Sequence, residues 1–349
     1  MRILNYNKHF MNINIFGSTG EIGKKSLDII QKNFPNLKVN LLCANSNVKL
    51  ILKQSKIFKP KYIYLHDINA TNKLKGKLNK NIKILNSSEL NLYLINSVSD
   101  FTILAVSGFK SLYYIDSIVR NTKNLGIVSK EVIVSAGHIF KKEKYEKKTK
   151  IFPLDSEHYS LFEYFSNHNS NNNIKNIIIT ASGGPFYKSK FRTLKNVSFK
   201  EAIKHPKWKM GYKNSIDSAT LVNKCLEVVE AHYLFNIDYN NINVLVHPQA
   251  IVHSIIEKQN YITNFNLFKN DMAIPIINFL NQESNNIKKY NNELSLNSYS
   301  SYEFYKIKNE NFPIYKFFCE LDKSIPSNLI KFNVGNEFAV NMFKNKMIK

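Results

Sequence analysis

An apolar run, Ile13-Asn14-Ile15-Phe16, breaks at Gly17-Ser18-Thr19-Gly20-Glu21-Ile22-Gly23 and passes straight into a stretch of helical spacing from Lys24 to about Asn33. A strand that turns through glycines into a helix is the opening unit of a parallel α/β sheet, because the crossover helix must return over the sheet face. Further apolar runs at Val39–Cys43, Tyr62–Leu65, Phe101–Val106 and Leu125–Val128 alternate with helical stretches and carry the pattern to about Lys150. A doubly wound, Rossmann-like nucleotide-binding domain is therefore expected over residues 1–150. The glycine spacing lets backbone close on a pyrophosphate seated at a helix N-terminus, which makes Gly17, Ser18, Thr19, Gly20, Glu21 and Ile22 candidate cofactor residues. A fold selective for NAD offers an acidic residue about 20 positions on to hold the ribose 2′-hydroxyl. Here no Asp or Glu falls between Asp28 and Asp67, and the second apolar run leads into Asn45-Ser46-Asn47-Val48-Lys49. Amide, hydroxyl and ammonium groups accept a 2′-phosphate, so NADPH is expected over NADH, with Asn45 and Asn47 as candidate contacts.

The second constraint is acidic. In Pro153-Leu154-Asp155-Ser156-Glu157-His158 two carboxylates stand at i and i+2, which on extended backbone point to one side. Downstream, Asn223, Lys224 and Glu227 fall on one helical face, polar where a plain core helix would be apolar. Oxygen-only ligands with open positions suit Mg²⁺ or Mn²⁺ held jointly by protein, water and substrate. Asp155, Glu157 and Glu227 are thus the candidate metal ligands, and the lysine and amide beside them suit a phosphate. Taken singly, each segment also reads as a solvated acidic turn or an ordinary helix start.

At 349 residues the chain exceeds one ordinary core. After the charge run Lys141–Lys150, apolar runs at Ile177–Thr180 and Val244–His247 frame a long helix from about Ser218 to Phe235, an α+β catalytic domain over residues 151–281. Within it, Gly183 to Gly211 holds paired glycines, prolines and Trp208, the sole tryptophan; a loop of that length is usually a functional lid. Beyond the Asn-rich stretch after Asn281, apolar spacing through Phe304, Ile307, Tyr315, Phe318 and Leu321 predicts a small helical region over 282–349. The formal net charge of +23 would suggest nucleic acid. Only Arg2, Arg120 and Arg192 are arginine, however, and the lysines are scattered among Asn, Ile, Tyr and Phe, so no nucleic-acid partner is expected. Cys43, Cys225 and Cys319 form no CxxC pair, and no stretch reaches the roughly 18 apolar residues of a membrane span. A cytoplasmic protein with no membrane partner is expected.

The chain resembles the 1-deoxy-D-xylulose 5-phosphate reductoisomerase family. The stretches that carry the resemblance are Gly17 to Gly23, Ser129-Lys130-Glu131, Asp155-Ser156-Glu157-His158, Ala181-Ser182-Gly183-Gly184-Pro185-Phe186, His205 to Gly211, Asp217 to Phe235 and His247 to Ser254, in family order from about residue 12 to about residue 340. The resemblance implies NADPH- and metal-dependent conversion of a sugar phosphate, 1-deoxy-D-xylulose 5-phosphate, to 2-C-methyl-D-erythritol 4-phosphate: a carbon–carbon bond opens in a retro-aldol step, the fragments rejoin as a branched aldehyde, and NADPH delivers hydride. It further implies that Ser182, Ser218, Asn223 and Lys224 bind the phosphate, that Lys130 and Ser156 meet substrate hydroxyls, and that Glu227 serves both metal and substrate. His205 and Trp208 would cover the substrate on lid closure, with Ser129, Glu131, Met210 and Gly211 along the cofactor. His158 and His253 fall on family motifs, and substrate positioning or ligand orientation is expected of them more than proton transfer. The family implies a homodimer.

The chain departs from the family pattern at Ser129, where asparagine is usual, at Cys225, where glycine is usual, and in a shortened C-terminal helical region. Two other classes stay open. An NADP-linked dehydrogenase of the aspartate-semialdehyde kind would need a nucleophilic cysteine, and neither Cys225 nor Cys319 has activating neighbours in sequence. A ligand-binding remnant without catalysis would have little reason to keep the carboxylates and phosphate ligands together.

Overall fold

The computed structural model describes residues 10–140, 149–168, 173–208, 210–282 and 293–349, without the side chains of 140 and 296. Most of the charge run 141–150 and of the Asn-rich stretch lies outside the described residues. In chain order the first elements are β1 (Met11–Phe16), α1 (Glu21–Asn33), β2 (Leu37–Ala44), α2 (Val48–Phe58), β3 (Tyr62–Leu65), α3 (Ile68–Leu74), β4 (Lys83–Leu85), α4 (Ser87–Asn96), β5 (Ser99–Leu104), α5 (Leu112–Arg120) and β6 (Thr122–Ile127). There follow α6 (Lys130–Phe140), β7 (Lys150–Pro153), α7 (Ser156–Ser166), β8 (Ile174–Ala181), α8 (Phe199–Ala202), α9 (Tyr212–Ala219) and α10 (Val222–Phe235). The last are β9 (Ile242–Val246), β10 (Val252–Lys258), β11 (Thr263–Leu267), α11 (Ala273–Leu280), α12 (Pro313–Glu320) and α13 (Pro326–Lys344).

The chain forms two compact units. The first gathers the described residues within 1–129, 143–154 and 272–289 around a seven-stranded sheet in the order β4-β3-β2-β1-β5-β6-β7. All its pairings are parallel. Its central strands are apolar on both faces because helices cover both: Ile13, Ile15, Leu41, Leu42, Phe101 and Ile103 are wholly buried. This is the doubly wound fold the spacing predicts. Two short strands, β4 and β7, extend it beyond the five apolar runs. The units do not follow the linear boundaries at 150 and 281. α11 belongs to the first unit because Phe279 packs edge-on to Phe101 and against Phe152, each with ring centroids 5.4 Å apart; burial of such a side chain is worth roughly 1.5–3 kcal/mol.

The second unit gathers the described residues within 130–142, 155–271 and 290–349. Its four-stranded sheet runs β11-β10-β8-β9, with β8 and β9 parallel and β10 antiparallel to both β8 and β11. α10 fills the core: Val222, Leu226 and Val229 cluster with Ile177, Ile179 and Val244 and with Phe318, Leu329 and Phe332 of α12 and α13. The expected single helix from Ser218 to Phe235 is in fact α9 and α10, broken at Leu221, whose φ of 63° is left-handed. A left-handed leucine cannot continue a right-handed helix. Ser218 therefore ends one helix, and Asn223 and Lys224 begin the next. Phe304 and Ile307, expected on a helix, lie outside any; Tyr305 instead forms an antiparallel bridge to Val246.

The segment 183–211 is not a plain loop either. It contains a 3-10 turn at Phe191–Asn196 and α8, closed by a capping box in which Ser198 and Glu201 satisfy each other's backbone N–H groups. Ala202 is buried with Ile216 and Val340, and Phe186, Val197, Phe199 and Phe343 pack around them. No described helix is long and apolar enough to cross a membrane.

Candidate active site

In the first unit the glycine turn is set by close backbone approach. Gly17 has φ 82°, and a Cβ there would meet the Ala105 carbonyl oxygen at 2.2 Å. Its N–H and that of Ser18 both donate to the Cys43 carbonyl at 2.9 Å, and Gln54 Nε2 donates to the Ser18 carbonyl at 2.7 Å. Beside the turn lies a cleft of about 280 Å³ whose lining includes Gly17, Thr19, Gly20 and Asn45. It sits at the carboxyl ends of β1 and β5, where the strand order reverses and where open α/β sheets hold ligands. His66, Ser107, Lys110 and Tyr114 also line it. Those residues escape the fingerprint, yet the strand order points to the loops after β3 and β5. Asn47 turns out to be the N-cap of α2, accepting from the Leu50 N–H at 3.1 Å, so its oxygen is committed to the helix. Glu21 is paired with Lys24 at 2.7 Å, Ser18 is wholly buried, and the Ser129 hydroxyl donates to the Val106 carbonyl.

In the second unit the acidic pair meets for a reason other than extended spacing. Asp155 is the N-cap of α7, accepting from the N–H groups of Glu157 and His158 at 3.1 and 3.2 Å, and Glu157 follows in the first helical turn. Ligand oxygens of Asp155, Glu157 and Glu227 lie within 4.8 Å of one another. Two ammoniums counter them. Lys130 contacts Asp155 and stands 3.7 Å from Glu227; Lys224 sits 2.8 Å from Glu157 and 2.5 Å from Glu227. Asn223 donates its amide to Glu227, and Ser156 donates to Glu157 at 2.6 Å. Burial, joined by the Asp155 and Glu157 charges, pushes Glu227 up to about 8 against the pull of Lys224. The cluster thus holds more negative charge than two lysines relieve, and its all-oxygen donors fit a hard divalent cation.

His158 lies beneath this cluster, wholly buried. Its Nε2 faces the Glu227 carbonyl at 2.9 Å. A carbonyl only accepts, so Nε2 carries a proton, and Nδ1 stands 2.9 Å from Asp155 and 3.3 Å from Glu230. Burial opposes a charge on this ring, but Glu230 and Asp155 outweigh it and push His158 up to about 9. It is a fixed donor that orients Asp155. His253 donates through Nε2 to the Phe268 carbonyl at 3.1 Å and stacks on that ring with centroids 4.0 Å apart. That contact ties the β10–β11 hairpin, and no described hydrogen bond joins His253 to the carboxylates.

His205 has the opposite state. Its Nδ1 accepts from the N–H groups of Lys207 and Trp208 at 3.2 and 2.8 Å, so Nε2 is the protonated nitrogen, and it stands 2.9 Å from Ser182 Oγ and 3.0 Å from Ser218 Oγ. Burial, then the Lys224 charge, holds His205 down at about 4. A neutral N–H and two hydroxyls converge, and the Lys224 ammonium acts on the same spot. Gly184 makes the closure possible: at φ 67° it brings its backbone so near α9 that a Cβ would meet the Ser218 carbonyl oxygen at 2.6 Å. The four expected phosphate groups are therefore split, Ser182 and Ser218 around His205, Asn223 and Lys224 among the carboxylates. Glu131 opens α6 and pairs with Lys213 at 2.9 Å; Gly211 caps α9, with the half-buried Met210 before it.

Known proteins share this arrangement of sequence. Family models described as 1-deoxy-D-xylulose 5-phosphate reductoisomerase match residues 13–137, its C-terminal domain residues 151–235, and a DXP reductoisomerase C-terminal domain residues 267–349. The 1-deoxy-D-xylulose 5-phosphate reductoisomerase of Pelagibacter ubique is 35% identical over 351 residues, spanning 97% of this chain and 90% of that protein. This chain belongs to the 1-deoxy-D-xylulose 5-phosphate reductoisomerase family. The Clostridium tetani reductoisomerase is 38% identical over 350 residues, spanning 97% and 88%. Among solved structures, the Zymomonas mobilis reductoisomerase in complex with NADPH superposes with a TM-score of 0.86 at 31% identity, covering 97% of this chain and 88% of that one. A DOX-P reductoisomerase in complex with NADPH, fosmidomycin and magnesium gives 0.87 at 29%, covering 97% and 86%. The two residues expected to depart from the family pattern are both accommodated: Ser129 closes on Val106, and Cys225 is wholly buried. Burial pushes the Cys225 thiol well above its ordinary value, which leaves it inert as a nucleophile.

Proposed function

We propose that this chain carries out the NADPH-dependent isomerisation and reduction of 1-deoxy-D-xylulose 5-phosphate to 2-C-methyl-D-erythritol 4-phosphate, in isoprenoid precursor synthesis. The observation that carries the reading is the set Asp155, Glu157 and Glu227, with ligand oxygens within 4.8 Å, flanked by Lys224. A Mg²⁺ or Mn²⁺ ion held by these carboxylates supplies Lewis-acid polarisation of the substrate's neighbouring oxygens. The chain's own groups do the rest. Lys130 and Ser156 meet substrate hydroxyls, while Ser182, Ser218, the His205 Nε2–H, Asn223 and Lys224 hold the phosphate dianion. Trp208 covers the carbon chain as the 183–211 segment closes, which keeps water from the reacting carbons.

NADPH lies along the glycine turn, with its 2′-phosphate toward Asn45 and the amide of Asn47, and with Ser129, Glu131, Met210 and Gly211 along the nicotinamide end. The first unit carries the cofactor and the second the metal and substrate. The likeness to a reductoisomerase in complex with NADPH, fosmidomycin and magnesium supports the choice of cofactor and metal. The protein works as a cytoplasmic homodimer. The deciding experiment is NADPH oxidation with the pentulose phosphate, with and without Mg²⁺ or Mn²⁺. Turnover should require the metal and prefer NADPH to NADH by about tenfold or more in kcat/KM, or roughly 1.4 kcal/mol. Metal-independent turnover, or a preference for NADH, overturns the reading.

A further inference from the structure

The second unit holds another buried polar network, which includes none of the proposed metal or phosphate ligands. Lys213 on α9 is only 8% exposed, and its ammonium bridges Glu131 of α6 at 2.9 Å and Asp217 of α9 at 2.7 Å. The other oxygen of Asp217 accepts the amide of Asn336, from α13, at 2.8 Å. One turn earlier on α13, Asn333 is wholly buried and neither of its side-chain polar atoms has a partner among the described residues. Taking a lysine and two carboxylates out of water is costly unless each is met. An apolar packing of the three helices would hold them together at less cost. What the ionic network adds is a fixed register between the start of α6 and the last turn of α9.

Both ends of that register are site residues. Lys130 precedes Glu131 and contacts Asp155, and Ser218 follows Asp217 and meets His205. We propose that Lys213, Asp217 and Asn336 are positioning residues, which set Ser218 and the first turn of α6 for the phosphate and the nicotinamide end of the cofactor, and which make α13 a working part of the substrate site. The proposal rests on the phosphate role given above to Ser218. Asp217 holds the helix end that presents Ser218, and Asn336 holds Asp217. Lys213 alone also holds Glu131.

The roles predict different kinetic signatures. Asn336→Ala should raise KM for the sugar phosphate by about tenfold while kcat and the KM for NADPH stay within about threefold. Asn336→Gln, which keeps an amide donor, should recover most of the loss. Lys213→Met should raise both KM values. Should that variant fail to fold, the half-exposed Asn336 pair still decides the matter. Ser218→Ala separates the two readings, since an unchanged KM for the sugar phosphate would remove the phosphate role itself. With that role intact, the effects of Ser218→Ala and Asn336→Ala should be strongly non-additive, because the second acts through the first. Additive effects, or a lowered melting temperature with KM unchanged in both Asn336 variants, would reduce the network to a plain structural brace and overturn the proposal.

Discussion

Glu227 is wholly buried among carboxylates, and that burial pushes it up to about 8. Glu227→Gln removes the buried charge without changing shape, so metal-free stability should be kept or raised while turnover falls by two to three decades, the several kcal/mol of a lost ligand. Asp155→Asn should show the same loss. Near-normal turnover in either variant with Mg²⁺ present would rule out the metal assignment. His205 gives a prediction in pH. Its folded value of about 4 lies below the ordinary 6.5, so the unfolded chain takes the proton first, and stability is lost as pH falls from about 6.5 toward 4. His205→Gln should flatten the melting temperature against pH across that window; equal slopes in the two proteins would show that the imidazole stays accessible to protons. At this scale the acidic trio is legible in the sequence through spacing and chemistry, and the structure brings its oxygens together; Ser182 and Ser218 are expected only from the family resemblance. The states of the histidines are not legible: whether Nδ1 of His205 accepts or Nδ1 of His158 donates depends on backbone groups brought in by folding.

At the scale of elements, periodicity gives the parallel strands and their helices but misses β4 and β7, which are too short to show a period. Spacing alone suggests extended backbone for the Asp155/Glu157 pair, whereas Asp155 is a helix N-cap with Glu157 in the first turn; the two carboxylates come together with Glu227 by a geometry other than the expected one. The break at Leu221 leaves no trace in sequence, since a buried apolar residue at helical spacing carries no sign of a positive φ. Its consequence is chemical: Asn223 and Lys224 fall in the first turn of α10, where the helix dipole favours an anion. The segment 183–211 is anchored at one end by Ala202 among Ile216, Val340 and Phe343. Closure should therefore involve the part near Trp208 more than α8. Adding a phosphonate hydroxamate with Mg²⁺ should slow hydrogen exchange most around 204–211, and Trp208→Ala should weaken inhibitor and substrate together. Exchange that is unchanged across the whole segment would sink the lid.

Across the whole molecule, β11 is the last strand in the order of the second sheet, and Ile262 and Phe265 beside it are about half exposed. Apolar surface of this kind on a sheet edge is usually covered, which supports the proposed homodimer. The melting temperature should then rise with protein concentration, and sedimentation at micromolar concentration should give twice the chain mass. A monomer with a concentration-independent melt would rule the dimer out. The way the chain is divided between its two units has a consequence for its birth on the ribosome. The first sheet begins to form at Met11, yet the helix that supplies Phe279 to its core emerges only after about two thirds of the second unit has been synthesised. For most of translation the first unit must wait with an open hydrophobic flank. The nascent chain therefore cannot finish its domains one after another, as N-terminal-first folding would have it, and the late synthesis of some ten residues closes a core laid down at the start.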